Sequence, residues 1–274
     1  MKTIIKLLTS TLILSLFFTA CLPDKDEELT TDEKTEQMIV ASEDHANSED
    51  FYQDIEDRVD EAIEKNGGGG DCPTVTASPD WQTYPRTITI DFGDGCVGPR
   101  GRLRKGKIVV EVTDNIFNVN AQRTASLVDF SIDGIEIEGT RILKNEGYDA
   151  DGNITISKLV TDGKITFLNG DVATWETDVL LTQTAGGTTP FNLFDNVFEI
   201  TGNSSGINRN GKAYLVNIKK ALVKDKICPW LVSGVLTLTV DNLDVSLDYG
   251  DGECDRKAVL TLPNGTEHEI LIWN

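Results

Sequence analysis

The sequence predicts an all-β protein whose body is an antiparallel meander of roughly a dozen strands, arranged as a sandwich or a rolled sheet. Apolar and polar residues alternate strictly in segments such as 235–240 and 243–249, which is the period of a half-buried strand. Dipeptides that favour hairpin turns separate such segments. Residues 71–274 contain no long amphipathic helical window, so we expect this body to be one β domain or two related β units.

Five dipeptides mark the hairpins that the alternation requires. Each tolerates the positive φ angles of tight turns between twisted strands. They are Asp133-Gly134, Asp162-Gly163, Asn169-Gly170, Asp241-Asn242 and Asn264-Gly265.

The N-terminus predicts export and a lipid anchor. Residues 1–20 combine a basic start with an apolar run that is short for a membrane span, as in a signal peptide. The end of this run resembles a bacterial lipobox, which implies lipidation of Cys21; the alternative is an ordinary secretory signal followed by an unrelated cysteine. Leu22 in place of aspartate favours the outer membrane, and Lys25 with the two acids after it resembles a surface-export signal. We expect a lipoprotein of the outer membrane that faces the cell exterior.

Residues 21–70 predict an acidic stalk. Between 24 and 66 there are 17 acidic residues against four basic ones, so most of this segment should be extended and solvated. An apolar residue every fourth position from Phe51 to Ile63 indicates a short helix, which Ser48 can cap and which either docks on the body or frays. The stalk also carries His45, and the glycines at 67–70 form a flexible linker to the body. A net charge of -20 argues against nucleic acid as a partner.

A repeated motif closes two parts of the body. "DFGDGC" at 91–96 returns as "DYGDGEC" at 248–254, and a Cys-Pro pair precedes each copy. With Cys21 assigned to lipid, four cysteines remain and allow three disulfide connectivities. The parallel between the copies favours Cys72–Cys96 and Cys228–Cys254, because each pairing closes the same local structure.

The aspartates of the motif leave two interpretations open. In the favoured one the glycines form turns while Phe92 and Tyr249 pack inward. In the other, clustered carboxylates bind calcium. The calcium candidates are Asp248, Asp251, Glu253 and Asp255, with a second acidic cluster at 149–153. We expect no cofactor, with calcium as the alternative.

The sequence leans away from an enzyme. It contains two histidines, His45 and His268, too few for a histidine zinc site or a catalytic triad of the usual kind. No phosphate-binding loop precedes a helix, and no catalytic residue is assigned. A carboxylate pair of the glycosidase type stays open.

The body resembles a family of Bacteroidota-type surface lipoproteins that carry a repeated D-[FY]-G-D-G-(x)-C motif. The likeness rests on "YPRTITIDFGDGC", "GPRGRLRKGKIVVEV", "ITGNSSGINRNGKAY" and "LDYGDGECD". It covers about 200 residues and implies no activity, since the family is described mainly by its sequence.

Two functions are favoured, with an enzyme as the third. The first is a membrane-anchored module that binds a glycan or protein, with Trp81, Trp175, Trp230 and Trp273 as candidate contacts. The alternative is a structural or accessory envelope lipoprotein whose partner is another outer-membrane protein. A glycan binder should present a row of exposed aromatic rings, whereas an envelope scaffold should present an apolar patch or an unpaired edge strand.

Overall fold

The structure is a computed structural model that describes residues 30–68, 72–189, 192 and 194–273. The expected signal peptide, the lipidation site Cys21 and the export segment at 25–27 lie outside these residues.

The described chain consists of one long helix followed by thirteen strands. The helix is α1 (Thr31–Glu64). The strands are β1 (Thr74–Ser78), β2 (Arg86–Val97), β3 (Leu103–Val112), β4 (Gln122–Ile132), β5 (Ile135–Tyr148), β6 (Ile154–Thr166), β7 (Val172–Ala185), β8 (Val197–Ile207), β9 (Ala213–Asp225), β10 (Ser233–Val240), β11 (Leu243–Asp251), β12 (Lys257–Thr261) and β13 (Glu267–Leu271). A single turn of 3-10 helix, Pro99–Gly101, joins β2 to β3.

The thirteen strands form one antiparallel sheet in which each strand pairs with its neighbours in sequence. This confirms the predicted all-β meander. The sheet is rolled: partners on β3, β7 and beyond β13 all reach the same helix. At Arg102 the beginning of the sheet meets its end, because this guanidinium donates to the carbonyl of Trp273 over 2.8 Å.

Helix α1 begins and ends with regular caps. Thr30 and Glu33 form a reciprocal capping box, in which the Thr30 hydroxyl accepts from the Glu33 amide and the Glu33 carboxylate accepts from the Thr30 amide. At the other end Gly67 has a φ of +75° and donates its amide to the Ala62 carbonyl. A side chain at Gly67 would also collide with the Trp81 ring.

The expectation of a solvated stalk is wrong for residues 31–64. The helix is 34 residues long instead of short, and twenty of its residues are buried inside the sheet. Ser48, expected as a cap, lies mid-helix and donates to the Asp44 carbonyl. The segment is buried because basic side chains of the sheet neutralise its carboxylates. The net charge of the segment alone does not reveal this pairing.

The predicted turns hold with one exception. Turns occur at 133–134, 169–170, 241–242 and 264–265. Asp162-Gly163 instead lies inside β6, where the register with β7 shifts. The dipeptide lies in a bulge, and glycine is required at 163 because a side chain there would collide with the Trp175 carbonyl.

Both predicted disulfides are present. Cys72 pairs with Cys96 and Cys228 with Cys254, at Cα separations of 5.7 and 5.6 Å. They tie corresponding places near opposite ends of the one sheet.

Candidate functional site

The interior of the sheet is an acid-base interface between α1 and basic residues that precede or lie on the strands. Asp54 accepts from the Arg104 Nε at 2.7 Å and from the Arg100 guanidinium at 3.1 Å. Asp50 accepts from Arg100 at 2.8 Å and from Arg102 at 2.5 Å. Burial by itself would raise the pKa of Asp54, but the hydrogen bonds and charge of Arg104 outweigh it and hold this pKa below its ordinary value.

The same pairing continues along the C-terminal half of the helix. Lys226 contacts the carboxylates of Asp57 at 2.8 Å and Asp60 at 2.9 Å. Arg141 pairs with Glu56. Burial would raise the pKa of Glu56, yet the positive charges of Arg141 and Lys226 lower it to about 2. Glu56 is therefore an ionised partner in a structural interface.

The N-terminal half of the helix contributes a neutral histidine. His45 is buried, and its Nδ1 accepts a hydrogen bond from the Trp175 indole at 3.1 Å. Burial lowers the pKa of His45 to about 4, so the ring is uncharged near neutral pH. Asp44 nearby accepts from the Arg209 backbone and side chain, both at 2.7 Å. His45 was expected in a solvated stalk; it lies in the core instead.

This interior offers little room for a substrate. A cavity of about 200 Å³ lies between the C-terminal turns of α1 and the Cys72–Cys96 disulfide, and it is lined in part by Arg58, Glu61 and Lys65. Gly68 and Cys72, which flank the undescribed residues 69–71, border it. More space for a ligand lies on the outer face of the sheet.

A groove of about 640 Å³ crosses the outer face of β6 to β10. Its first row of side chains follows the strand register from Leu159 on β6 through Asp178 on β7 and Asn203 on β8 to Asn217 on β9. The amide of Asn217 donates to the Asn203 side chain at 2.6 Å. Each of these residues occupies the outward position of its strand, since successive side chains alternate between the two faces.

A second row lies beside the first. Glu176, Ser205, Leu215 and Thr239 stand opposite one another on β7, β8, β9 and β10. Within the described part of the chain, neither Glu176 nor Asp178 has a hydrogen-bond donor or cation against its carboxylate. Lys219 also lines the groove. The groove thus contains two carboxylates without hydrogen-bond partners among the described residues, a pair of hydrogen-bonded asparagine side chains and one exposed leucine, Leu215.

Bulges in these strands bend the sheet at the groove. The register shifts between β6 and β7, between β8 and β9, and between β9 and β10. Bulges increase local twist and re-aim side chains. At the β8 bulge Gly202 has a φ of +130°, and a side chain there would meet the Asp178 carbonyl at 2.5 Å, so glycine is required.

The first aspartate of each copy of the repeated motif stabilises a turn. Asp91 accepts from the Gly93 amide at 2.9 Å, and Asp248 accepts from the Gly250 amide at 2.8 Å, so the two copies share one local turn. The glycines have the expected positive φ angles, and Phe92 is buried.

The remaining calcium candidates do not converge on a common ligand. Asp255 accepts from the Lys257 amide at 2.9 Å, and Asp251 and Glu253 are exposed. In the other cluster Asp149 closes its own loop by accepting from the Asn153 amide at 2.8 Å. Among the described residues no three histidine, cysteine or acidic side chains are grouped to hold a metal ion.

The tryptophans do not form an exposed row. Trp175 is fully buried, and Trp81, Trp230 and Trp273 are half-buried against the core. In the part of the chain that the structure describes, Tyr148 is the one large aromatic residue with a mainly exposed side chain.

Comparison of the chain with protein-family models, with curated proteins and with solved structures found no match. Of the helices among the described residues, none is both long and apolar enough to span a membrane.

Proposed function

We propose that this protein is a lipid-anchored binding module of the outer membrane that holds a glycan chain in the groove across β6 to β10. The observation that carries the proposal is the pair of polar rows on this face. The two carboxylates that lack protein partners can accept from the hydroxyl groups of a sugar chain, and the Asn203–Asn217 amide pair has further donors and acceptors to offer it. Because exposed aromatic rings do not line the groove, recognition would rest on hydrogen bonds.

We infer that this module lies close to its membrane. If Cys21 is lipidated, nine residues, 22–30, separate it from the start of α1 at Thr31. Nine residues span at most about 30 Å when extended. The ligand would therefore be a component of the cell envelope or of the layer directly outside it, within reach of a body held near the lipid.

A glycan screen with the mature protein in detergent tests the proposal. We expect Asp178→Ala to weaken binding of a selected glycan about tenfold or more, because a hydrogen bond to a charged group is lost. Glu111→Ala, which removes an exposed carboxylate on β3 away from the groove, is the matched control. If the two variants bind the glycan with equal affinity, the groove is not the binding site.

Exposure to the outside is tested on intact cells. We expect added protease to degrade the body while a periplasmic control protein survives. Survival of the body in cells with an intact outer membrane would place it in the periplasm, and a glycan of the cell exterior would no longer be its ligand.

The edge of the sheet favours a second candidate function. Strand β1 pairs only with β2 and carries no charged residue, whereas β13 at the other edge carries Glu267 and Glu269. Charges protect a free edge, and an uncharged edge can accept a strand from another protein. An accessory lipoprotein could use β1 to join an envelope protein. Thr76→Lys should then release that partner without loss of stability, and unchanged co-purification would rule out β1.

A further inference from the structure

A pocket of about 280 Å³ lies at the C-terminal end of α1, beside the connection from β3 to β4. Arg86 of β2 and Arg123 of β4 line it, and both pair with Val112 of β3 in the strand register. All three residues are buried, so they form one row on the inner face of the sheet. Two guanidinium groups are therefore placed at the inner wall of a single pocket.

Arg86 has a hydrogen-bond donor without an acceptor. The residue is 6% exposed, and its Nε is buried and has no partner in the described part of the chain. Another nitrogen of the group donates to the Trp81 carbonyl. The guanidinium stacks over the rings of Tyr84 at 4.4 Å and Trp81 at 5.7 Å, and the exposed carboxylate of Asp80 attracts it over a longer distance. Stacking uses the face of the planar group and leaves the N–H groups on its edge able to bind a carboxylate.

Arg123 has an N–H group in the same condition. Its guanidinium pairs with Asp60 at 2.7 Å, but Asp60 also pairs with Lys226 at 2.9 Å. The Nε of Arg123 is buried and has no acceptor among the described residues. A buried donor without a partner is costly. A ligand that brings a carboxylate to Arg86 and Arg123 would remove this cost, since arginine binds carboxylates through parallel hydrogen bonds.

The mouth of the pocket carries the opposite charge. Glu64 and Asp114 also line it, and Glu64 is exposed while Asp114 is half-buried. Neither carboxylate has a cation within 4 Å among the described residues. The pocket thus has cations at its buried wall and acids toward the solvent, and the two sets do not contact each other. The acids would repel a simple anion, whereas a ligand with both charges can bind both sets.

The rest of the lining is largely apolar or aromatic. Ile63, Trp81 and Phe117 contribute partly buried side chains. An apolar cavity of about 150 Å³ holds benzene, so this larger pocket has room for an apolar side chain together with two small charged groups. Its volume lies just below the range of about 300–1,000 Å³ that is usual for drug-sized ligands. The ligand is therefore a small molecule and not a polymer.

We propose that this pocket binds a free α-amino acid with an apolar side chain. The α-carboxylate accepts hydrogen bonds from Arg86 and Arg123 at the buried wall. The α-ammonium group faces Glu64 and Asp114 at the mouth, and the apolar side chain packs beside Trp81. Glycan binding in the outer groove does not enter this argument, so the two proposals can fail separately.

Titration calorimetry of the mature protein tests the site, with L-leucine and L-phenylalanine as probes. N-acetyl-L-phenylalanine lacks the ammonium group and L-phenylalaninamide lacks the carboxylate, so each derivative offers only one of the two charges. At pH 6 the amine of the amide derivative is protonated. We expect each derivative to bind about tenfold or more weakly than L-phenylalanine, because hydrogen bonds to a charged group are lost. If neither amino acid binds, or if either derivative binds as tightly as L-phenylalanine, the proposal is wrong.

A variant at the mouth tests the residues themselves. Glu64→Gln removes an exposed charge and should fold normally. It should weaken binding of L-phenylalanine but not of the N-acetyl derivative, which has no ammonium group to lose. Glu36→Gln, at an exposed position near the other end of α1, is the matched control and should bind as the native protein does. Unchanged affinity of Glu64→Gln for L-phenylalanine would overturn the assignment.

A variant at the buried wall tests the other charge. Arg86→Lys keeps the positive charge and removes the planar group that binds a carboxylate through two hydrogen bonds. It should weaken L-phenylalanine and the N-acetyl derivative alike. Equal binding of both probes by Arg86→Lys and the native protein would contradict the proposal, and if Arg86→Lys does not fold, the Glu64→Gln result decides.

Discussion

The interior of the sheet and its outer groove use the same kinds of residue in opposite ways. On β7 the adjacent residues Thr177 and Asp178 point to opposite faces. Thr177 is buried and shares a hydrogen bond of 2.8 Å with Ser204. Asp178 has no partner among the described residues. Inside, carboxylates such as Asp54 are satisfied by cations and hold the fold; outside, carboxylates are left available. An acidic side chain with a protein partner holds the fold, whereas one without a partner is a candidate contact for a ligand.

Removal of an interior carboxylate should give the largest effect. Asp54→Asn leaves the buried guanidinium of Arg104 without its counter-charge. We expect the free energy of unfolding to fall by about 3–5 kcal/mol. Urea denaturation measures it, with Asp178→Asn on the outer face as the control at less than about 0.5 kcal/mol. If both variants lose a similar amount of unfolding free energy, the interior and outer carboxylates do not differ in their contribution to the fold.

The neutral histidine should make stability depend on pH. Its pKa is lowered from 6.5 to about 4 in the folded protein, so its contribution is complete above pH 6.5 and is lost as the pH falls through 4. The shift corresponds to about 3 kcal/mol. We expect urea denaturation between pH 7 and 4 to show this loss in the native protein relative to His45→Gln. Parallel profiles would mean that His45 does not titrate in the core.

A smaller interior effect is expected at Tyr52. Its hydroxyl donates to the Glu138 carbonyl at 2.5 Å, while its ring stacks on Trp175 at 5.1 Å. Tyr52→Phe keeps the ring and removes the hydrogen bond, so we expect a loss of about 1 kcal/mol in unfolding free energy. Tyr148→Phe, with an exposed ring, should change nothing measurable. If Tyr52→Phe leaves the free energy of unfolding unchanged, the ring of Tyr52 and not its hydrogen bond holds the helix in place.

The smallest effect on stability should come from the groove. Asp178→Ala should change the free energy of unfolding, measured by urea denaturation, by no more than about 0.5 kcal/mol, because the side chain is exposed and unpaired. The same variant should lose glycan affinity, as proposed above. A marked loss of stability would indicate that Asp178 holds the sheet and is not free to bind.

The strands were predictable and their interior partners were not. Alternation over 235–240 and 243–249 matches β10 and β11 closely. Apolar spacing reveals the helix only from Phe51 onward, because the buried residues of its first half include polar ones such as Asp44 and His45. A signal for the ion pairs did exist: Arg141 shares the apolar face of β5 with Ile137. Which helical turn it meets depends on the roll of the sheet, which residue spacing does not encode.

The groove was beyond sequence reasoning for a related reason. Asp178, Asn203 and Asn217 come from three strands and align only through the register. Bulges at positions such as Gly202 shift that register. Alternation predicts which face a side chain takes, but not which side chain of the next strand stands beside it.

The contact between Asn47 and Trp273 sets an order of events during folding. The Trp273 amide donates to the Asn47 side chain over 2.9 Å, across 226 residues of chain. The acidic helix precedes all the described strands, so it is synthesised before the basic residues that neutralise its carboxylates. The helix cannot make all of its contacts until Trp273 has joined it, and a chain cut short before that residue would lack this hydrogen bond.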